Sequence, residues 1–290
     1  MDIKHKLLIL LFSITISAQN ITPVKHKYSK GKSALNIPFE LIEGHIVVKG
    51  RINGSRELKF TIDTGIPFKG IDLFHQSLAR EFIKRGEKIN FSLNGIEFYD
   101  QDIKSIANER LEKAPEDGLI GITLFSTCIV EIDFERSILN LYDPEVFDPK
   151  NAGVPLDIDF TKGPPIPKIN AVISVDGKEE IKGLFSVDLG SGNTLSILPG
   201  SEYNINPPEG AVEKVIGASV SGEIRGKSGQ IHSVKLGNKV IKDVTCLFFS
   251  KRVFGRFDNR ILGIFGTGFL KNFKATFDYS NRKLYFRPIY

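Results

Sequence analysis

The chain has 290 residues, of which 41% are hydrophobic and 25% are charged, and its net charge is +5. This length is enough for two lobes with hydrophobic cores, and the scattered lysines form no basic stripe, so we expect no nucleic-acid partner. Cysteine occurs twice, at Cys128 and Cys246. Each lies beside an apolar run, which favours two buried free thiols, although one disulfide is also possible in an oxidising compartment.

The first residues have the composition of a targeting segment. A basic start is followed by an apolar run over residues 7–16 and by the small residues Ser17 and Ala18. This order is typical of a cleavable secretory signal, and the apolar run is shorter than the ~20 residues that a membrane-spanning helix needs. We therefore predict a signal peptide over residues 1–18 and a flexible leader over residues 19–36. The mature protein should be exported, to a periplasm or to the extracellular medium, without a membrane span.

The remainder of the chain contains two copies of one pattern, over residues 37–150 and 151–290. The first copy contains Phe60-Thr61-Ile62-Asp63-Thr64-Gly65, and the second contains Phe185-Ser186-Val187-Asp188-Leu189-Gly190. Each aspartate ends an apolar, β-branched run and is followed, after one residue, by glycine, which predicts a strand that ends in a tight turn. Downstream, the spacing from Gly118 to Asp133 equals that from Gly263 to Asp278. A repeat of this extent predicts two copies of one lobe.

Strands are predicted along most of the chain, because β-branched and aromatic runs alternate with Gly, Asn and Pro. The exception is residues 73–88, where Leu78, Phe82 and Ile83 recur at helical spacing. The second copy is longer between its aspartate and the matching glycine, by roughly one long hairpin. Its glycine-rich residues 217–226 predict a mobile flap over a cleft. The flap residues that we expect to touch substrate are Ser219, Val220, Ser221 and Gly222.

If the copies pack symmetrically, Asp63 and Asp188 meet between them. Two carboxyl groups a few ångströms apart cannot both ionise, so they share a proton and act as a paired acid and base. A lone Asp-x-Gly triplet is usually an ordinary turn, so the prediction depends on the repeat. The histidines lack metal-ligand spacing, and no Gly-x-Ser-x-Gly elbow of a serine hydrolase is present. A glycoside hydrolase with two carboxylates is a weaker alternative, because the chain has no Trp for stacking on sugars.

The repeated strand, the Asp-Thr-Gly type of turn and the later hydrophobic-hydrophobic-Gly strand resemble the retropepsin-like and pepsin-like aspartic proteases. The exported, bacterial, single-chain type with two fused lobes is the most similar. The resemblance covers residues 37–287 and implies an all-β, two-lobed acid-protease fold, with retropepsin-like barrels about a pseudo-twofold axis and an active-site cleft between them. It implies that Asp63 and Asp188 activate one water to hydrolyse a polypeptide, with no metal or organic cofactor. We expect a monomer.

The resemblance also assigns supporting roles to the residues that follow the two aspartates. In this chain they are Thr64, Gly65, Gly190 and Ser191. In the family, a threonine after each aspartate bonds the opposite lobe, and Leu189 cannot make that bond. Ser191 can hydrogen-bond Asp188, whereas Ile66 offers Asp63 no such bond. These departures leave two functions open: an exported aspartic endopeptidase, or a catalytically silent relative that binds a peptide or another ligand in the cleft.

Overall fold

The computed structural model describes residues 21–161, 163–219, 222–250 and 259–289. The predicted signal peptide and the flap residues Val220 and Ser221 therefore lie outside the described residues. Strands account for 51% of the chain and helices for 9%, in two closed six-stranded barrels. The prediction of an all-β, two-lobed fold is confirmed.

The described part of the first copy builds one barrel. Its elements are β1 (His26–Tyr28), β2 (Ser33–Ile42), β3 (His45–Ile52), β4 (Leu58–Ile62), β5 (Gly70–Leu73), α1 (Gln76–Phe82), β6 (Ile89–Leu93), β7 (Ile96–Ser105), β8 (Gly118–Ile120), α2 (Ile122–Thr127), β9 (Ile129–Asp133) and β10 (Ile138–Tyr142). Strands β3, β4, β8, β5, β7 and β6 pair in this order, and β6 pairs back to β3. Phe60 and Phe91 meet edge to face inside the barrel, with ring centroids 5.0 Å apart.

The second copy repeats the barrel and adds a hairpin. Its elements are β11 (Val154–Asp157), β12 (Lys168–Ser174), β13 (Ile181–Asp188), β14 (Leu195–Ile197), β15 (Val212–Ser219), β16 (Gly222–Leu236), β17 (Lys239–Phe249), β18 (Ile261–Gly266), α3 (Thr267–Leu270), β19 (Phe273–Asp278) and β20 (Lys283–Pro288). Strands β12, β13, β18, β14, β17 and β16 close the ring. Strand β15 pairs with β16 beside it, so the extra residues of this copy form the predicted long hairpin.

The two barrels share one register around the aspartate strands. Strand β4 runs parallel to β8 with Phe60 opposite Gly118, and β13 runs parallel to β18 with Phe185 opposite Gly263. A Cβ atom on either glycine would lie 2.4 Å from a backbone oxygen, that of Asp72 or that of Ser196. The matching glycines are therefore required because the neighbouring antiparallel strand, β5 or β14, approaches each of them closely.

A separate six-stranded sheet joins the lobes, with the order β2, β10, β9, β19, β20 and β11. Its central contact is the antiparallel pair of β9 from the first lobe and β19 from the second, where Ile132 faces Ala275. Lys274 Nζ lies 2.5 Å from Asp133 Oδ2 across this pair. The lobes are therefore connected by backbone hydrogen bonds as well as by side-chain packing.

The N-terminal segment is more structured than expected. Residues 19–36 were predicted to be a flexible leader, yet from His26 onwards they contribute to sheets, because β1 pairs with β7 and β2 begins at Ser33. The hydroxyl of the buried Tyr28 donates to Cys128 Sγ at 3.3 Å, which holds this segment against the first lobe. Both cysteines are buried and free, so the alternative of a disulfide is wrong.

The helices of the described chain are short. Helix α1 lies within the segment that the helical spacing indicated, and its Leu78 is buried. Two 3₁₀ turns add to these, at Leu111–Lys113 and Pro149–Asn151. Across the described ranges, we find no helix with the length and apolar character needed to cross a membrane.

Candidate active site

The two aspartates lie at corresponding ends of parallel strands. Asp63 follows β4 directly, and its amide donates to Ile120 O at 3.0 Å. Asp188 is the last residue of β13 and lies opposite Gly266 of β18. Their carboxyl groups hydrogen-bond to each other, and the residues are 7% and 5% exposed respectively. The structure thus brings together the two residues that the repeat selected, in a buried pair.

Each carboxyl group is held by the glycine of its own turn. The Gly65 amide donates to Asp63 Oδ1 at 2.6 Å, and the Gly190 amide donates to Asp188 Oδ1 at 2.9 Å. Each glycine also lies against the opposite aspartate, since a Cβ on Gly190 would be 2.4 Å from Asp63 Oδ2 and one on Gly65 would be 3.0 Å from Asp188 Oδ1. Larger residues at these positions would push the carboxyl groups apart.

A single hydroxyl connects the lobes beneath the pair. Thr64 Oγ1 donates to Val187 O at 2.8 Å and accepts from the Leu189 amide at 2.9 Å. Leu189 is fully buried in the hydrophobic core and offers no matching hydroxyl. Ser191 is also buried, and its amide donates to Asp188 O at 3.2 Å. The expected bond from the Ser191 hydroxyl is not among the described contacts of the Asp188 carboxyl group.

Burial raises the pKa of both aspartates above the ordinary carboxyl value. For Asp63 the negative charge of Asp188 raises the pKa further, and the Gly65 amide opposes the increase. For Asp188 the Gly190 amide and the hydrogen bond from Asp63 both oppose the effect of burial. The pair therefore titrates as one unit and shares one proton between its two carboxyl groups.

A third buried carboxyl group adds to this field. Burial raises the pKa of Asp72 to about 6, although Lys104 Nζ lies 3.3 Å from its Oδ1 and opposes the shift. The negative charge of Asp72 contributes to the raised pKa of Asp63. No sequence motif marks this residue, because Asp72 lies within the short apolar strand β5.

Solved structures provide a comparison for this arrangement. The aspartic proteinase from Irpex lacteus matches with a TM-score of 0.59 and 12% sequence identity, over 88% of this chain and 97% of that chain. The chain has the two-lobed aspartic-protease fold. At this identity the likeness concerns the fold, so the chemistry must be argued from the site. No family model matches the chain, and no curated protein matches it.

In this acid-protease fold, a pocket of about 210 Å³ opens beside Asp63. Its buried apolar walls are Phe74, Leu111 and Leu119. Two polar residues that the sequence did not single out also line it, Glu116 and His45. Glu116 lies two residues before Gly118, where β8 begins, and in the sequence it resembles any surface glutamate. His45 is isolated from the other histidines along the chain, although the fold places it at the pocket.

His45 connects the first lobe to the turn of the second aspartate. Its ring hydrogen-bonds to the backbone of Gly190, and burial, the larger effect, lowers its pKa. The Nε2 atom is buried and has no hydrogen-bond partner among the described residues. Because a lowered pKa keeps the ring neutral, the nitrogen that does not donate to Gly190 is a buried acceptor.

The predicted flap coincides with the β15–β16 hairpin. Ser219 and Gly222 face each other where the two strands meet. Val220 and Ser221 lie outside the described residues. The described walls of the pocket come from the first lobe and from Gly190, so a role of the hairpin in covering substrate stays a prediction.

Proposed function

We propose that the chain is an aspartic endopeptidase that hydrolyses peptide bonds with a water activated by Asp63 and Asp188. The observation that carries the proposal is the hydrogen bond between two buried carboxyl groups that share one proton. Such a pair supplies an acid and a base at the same time, as the hydrolysis of an amide requires. The matching acid-protease fold supports the assignment.

In the proposed mechanism, one aspartate of the pair acts as the base and the other as the acid. The ionised Asp188 takes a proton from water, whose oxygen then bonds the carbonyl carbon of the scissile peptide. Asp63 gives its proton to the carbonyl oxygen, so a neutral tetrahedral diol forms without a free oxyanion. A proton then passes from Asp188 to the departing nitrogen as the C–N bond breaks, and one hydroxyl of the diol returns its proton to Asp63, which leaves the carboxylic acid product and restores the pair. The Gly65 and Gly190 amides hold the two carboxyl groups in position throughout.

A second candidate function is a catalytically silent protein that binds a peptide in the cleft. The asymmetry at the Thr64 hydroxyl favours it, because the matching side chain in the second copy, that of Leu189, contributes only apolar packing. A glycoside hydrolase is disfavoured. In such enzymes the two catalytic carboxyl groups stand about 5–9 Å apart, whereas those of Asp63 and Asp188 hydrogen-bond to each other.

The test is hydrolysis of an unfolded protein by the purified chain between acid and neutral pH. We expect a bell-shaped pH profile and a loss of at least about 10²-fold in Asp188→Asn. Asp176→Asn, which changes an exposed turn, is the matched control and should keep full activity. If the folded chain cleaves nothing, while Asp188→Asn binds peptide as well as the unchanged protein, the binding function replaces the peptidase.

We also propose that the protein acts as an exported monomer on polypeptides, in a periplasm or outside the cell. The support is the composition of residues 1–18 and the absence of a long apolar segment later in the sequence. N-terminal sequencing of the protein recovered from the medium or the periplasm tests export, and light scattering tests the monomer. An intact N-terminus on cytoplasmic protein would contradict the proposal.

A further inference from the structure

The pocket beside Asp63 contains a second buried carboxyl group, that of Glu116. This residue is only 6% exposed, and it faces the same space as the apolar walls Phe74, Leu111 and Leu119. Its carboxyl group accepts a hydrogen bond from its own backbone amide. Within the described ranges, no lysine or arginine forms an ion pair with it. A buried carboxylate without a cation is unfavourable, so the pocket gains stability from a positively charged occupant.

The backbone holds Glu116 firmly in this position. The next residue, Asp117, donates its amide to Lys59 O at 2.8 Å, and its Oδ2 accepts from the Lys59 amide at 2.8 Å. Its carbonyl accepts from the Phe74 amide at 3.0 Å. These three bonds fix the chain between two strands, so the Glu116 side chain has little freedom to leave the pocket.

The other charges of the pocket lie at its mouth. Glu43, Arg110 and Lys113 line it and are exposed, so solvent screens their charges. Inside, the buried polar side chains are Thr61, Asp63 and Glu116, and of these the two carboxyl groups can take up positive charge. The interior of the pocket therefore favours a positively charged group, although the rim carries both positive and negative side chains.

A lysine or arginine side chain fits both parts of this surface. Its methylene stem would lie along the apolar walls, and its charged end would donate a hydrogen bond to Glu116. An acidic side chain would instead bring a third carboxyl group beside two buried ones. A purely apolar side chain would cover Glu116 and leave its carboxylate without water or a partner.

We propose that Glu116 selects substrates that place a lysine or arginine side chain in the pocket beside Asp63. The inference rests on the proposed peptidase function, which brings a polypeptide across Asp63. Glu116 is then a specificity residue that touches the substrate and takes no part in the proton transfers.

The test compares peptides that differ only at the residue entering the pocket. Lysine is moved through each position around the scissile bond and is replaced by norleucine, which has the same stem without the ammonium group. For one position, we expect kcat/KM to be about tenfold or more higher with lysine. Glu116→Gln should remove this preference by lowering kcat/KM for the lysine peptide to about the value for the norleucine peptide. Glu43→Gln, the same change at the rim of the pocket, should keep the preference.

The preference should also depend on pH. Burial, the larger effect, and the negative charges of Glu43 and Asp117 raise the pKa of Glu116, and Lys59 opposes them. The lysine-to-norleucine ratio should therefore rise as pH increases and Glu116 ionises. The ratio cancels the titration of Asp63 and Asp188, because both peptides depend on that pair equally. In Glu116→Gln the ratio should be flat.

The outcomes separate this inference from the proposed function. Cleavage with equal rates for lysine and norleucine at every position overturns the inference and leaves the peptidase intact. An equal loss of preference in Glu43→Gln and Glu116→Gln assigns the effect to the general field and overturns the role of Glu116. If no peptide is cleaved, the proposed peptidase function is wrong. Calorimetric binding of the same two peptides then tests the role of Glu116: tighter binding of the lysine peptide supports the inference, and equal binding of both peptides overturns it. A thermal melt confirms that Glu116→Gln folds.

Discussion

The hydroxyl of Thr64 is the contact whose removal should most clearly weaken the junction between the lobes. It is buried, donates to Val187 O and accepts from the Leu189 amide. Thr64→Val keeps the shape of the side chain and removes both bonds. The Leu189 amide would lose its partner at a cost of about 1–3 kcal/mol, and the carbonyl, which tolerates a missing bond better, adds less. We therefore expect a loss of about 2–4 kcal/mol in the free energy of unfolding.

For a chain of this size, such a loss lowers Tm by about 3–7 °C in a calorimetric scan. The matched control is Thr276→Val, because Thr276 is also fully buried and its hydroxyl has no partner among the described residues. That change removes an unsatisfied group, so Tm should stay constant or rise. Equal Tm losses in the two variants, or an unchanged Tm in Thr64→Val, would refute the reasoning.

Three further predictions concern the same site. Because the pKa of Asp63 is raised, the folded chain keeps a proton that the unfolded chain releases above about pH 4, so its stability falls as pH rises. Asp63→Asn should therefore raise Tm at neutral pH and change it little near pH 4; equal shifts at both pH values would contradict this. Leu189→Thr should lower Tm by creating a cavity and an unpaired hydroxyl, and a higher Tm or faster turnover would count against it. Gly190→Ala should reduce peptide hydrolysis by at least about 10²-fold, because its Cβ would lie 2.4 Å from Asp63 Oδ2, and full activity would show that the pair tolerates separation.

The two-lobed fold could be predicted from the repeat, because the matched positions of its glycines have a physical cause. Gly118 and Gly263 recur at matched positions since each lies against the backbone of the antiparallel strand beside it, and each pairs with the phenylalanine that precedes its aspartate by three residues. A pattern imposed by such close approach survives in the sequence even where side chains differ. The meeting of Asp63 and Asp188 could therefore be anticipated from spacing.

The remaining site residues could not be anticipated in this way. His45 and Glu116 lie far apart in the chain, and only the closure of the barrel brings both to the pocket. Nothing near either residue distinguishes it from an ordinary surface side chain. The order of the leader could not be predicted for a related reason. Strand β1 is only three residues long and is held by its pairing with β7, which a local sequence pattern cannot reveal.

The one-sided contact of Thr64 has a consequence for ancestry. A homodimer built from either half would carry the same residue on both sides of its axis, and so two hydroxyls or none. Fusion of the halves into one chain removes that constraint, because each copy can then diverge alone. Thr64 and Leu189 are a combination that exact symmetry forbids, so this junction requires two halves that differ in sequence, as the halves of a single polypeptide can.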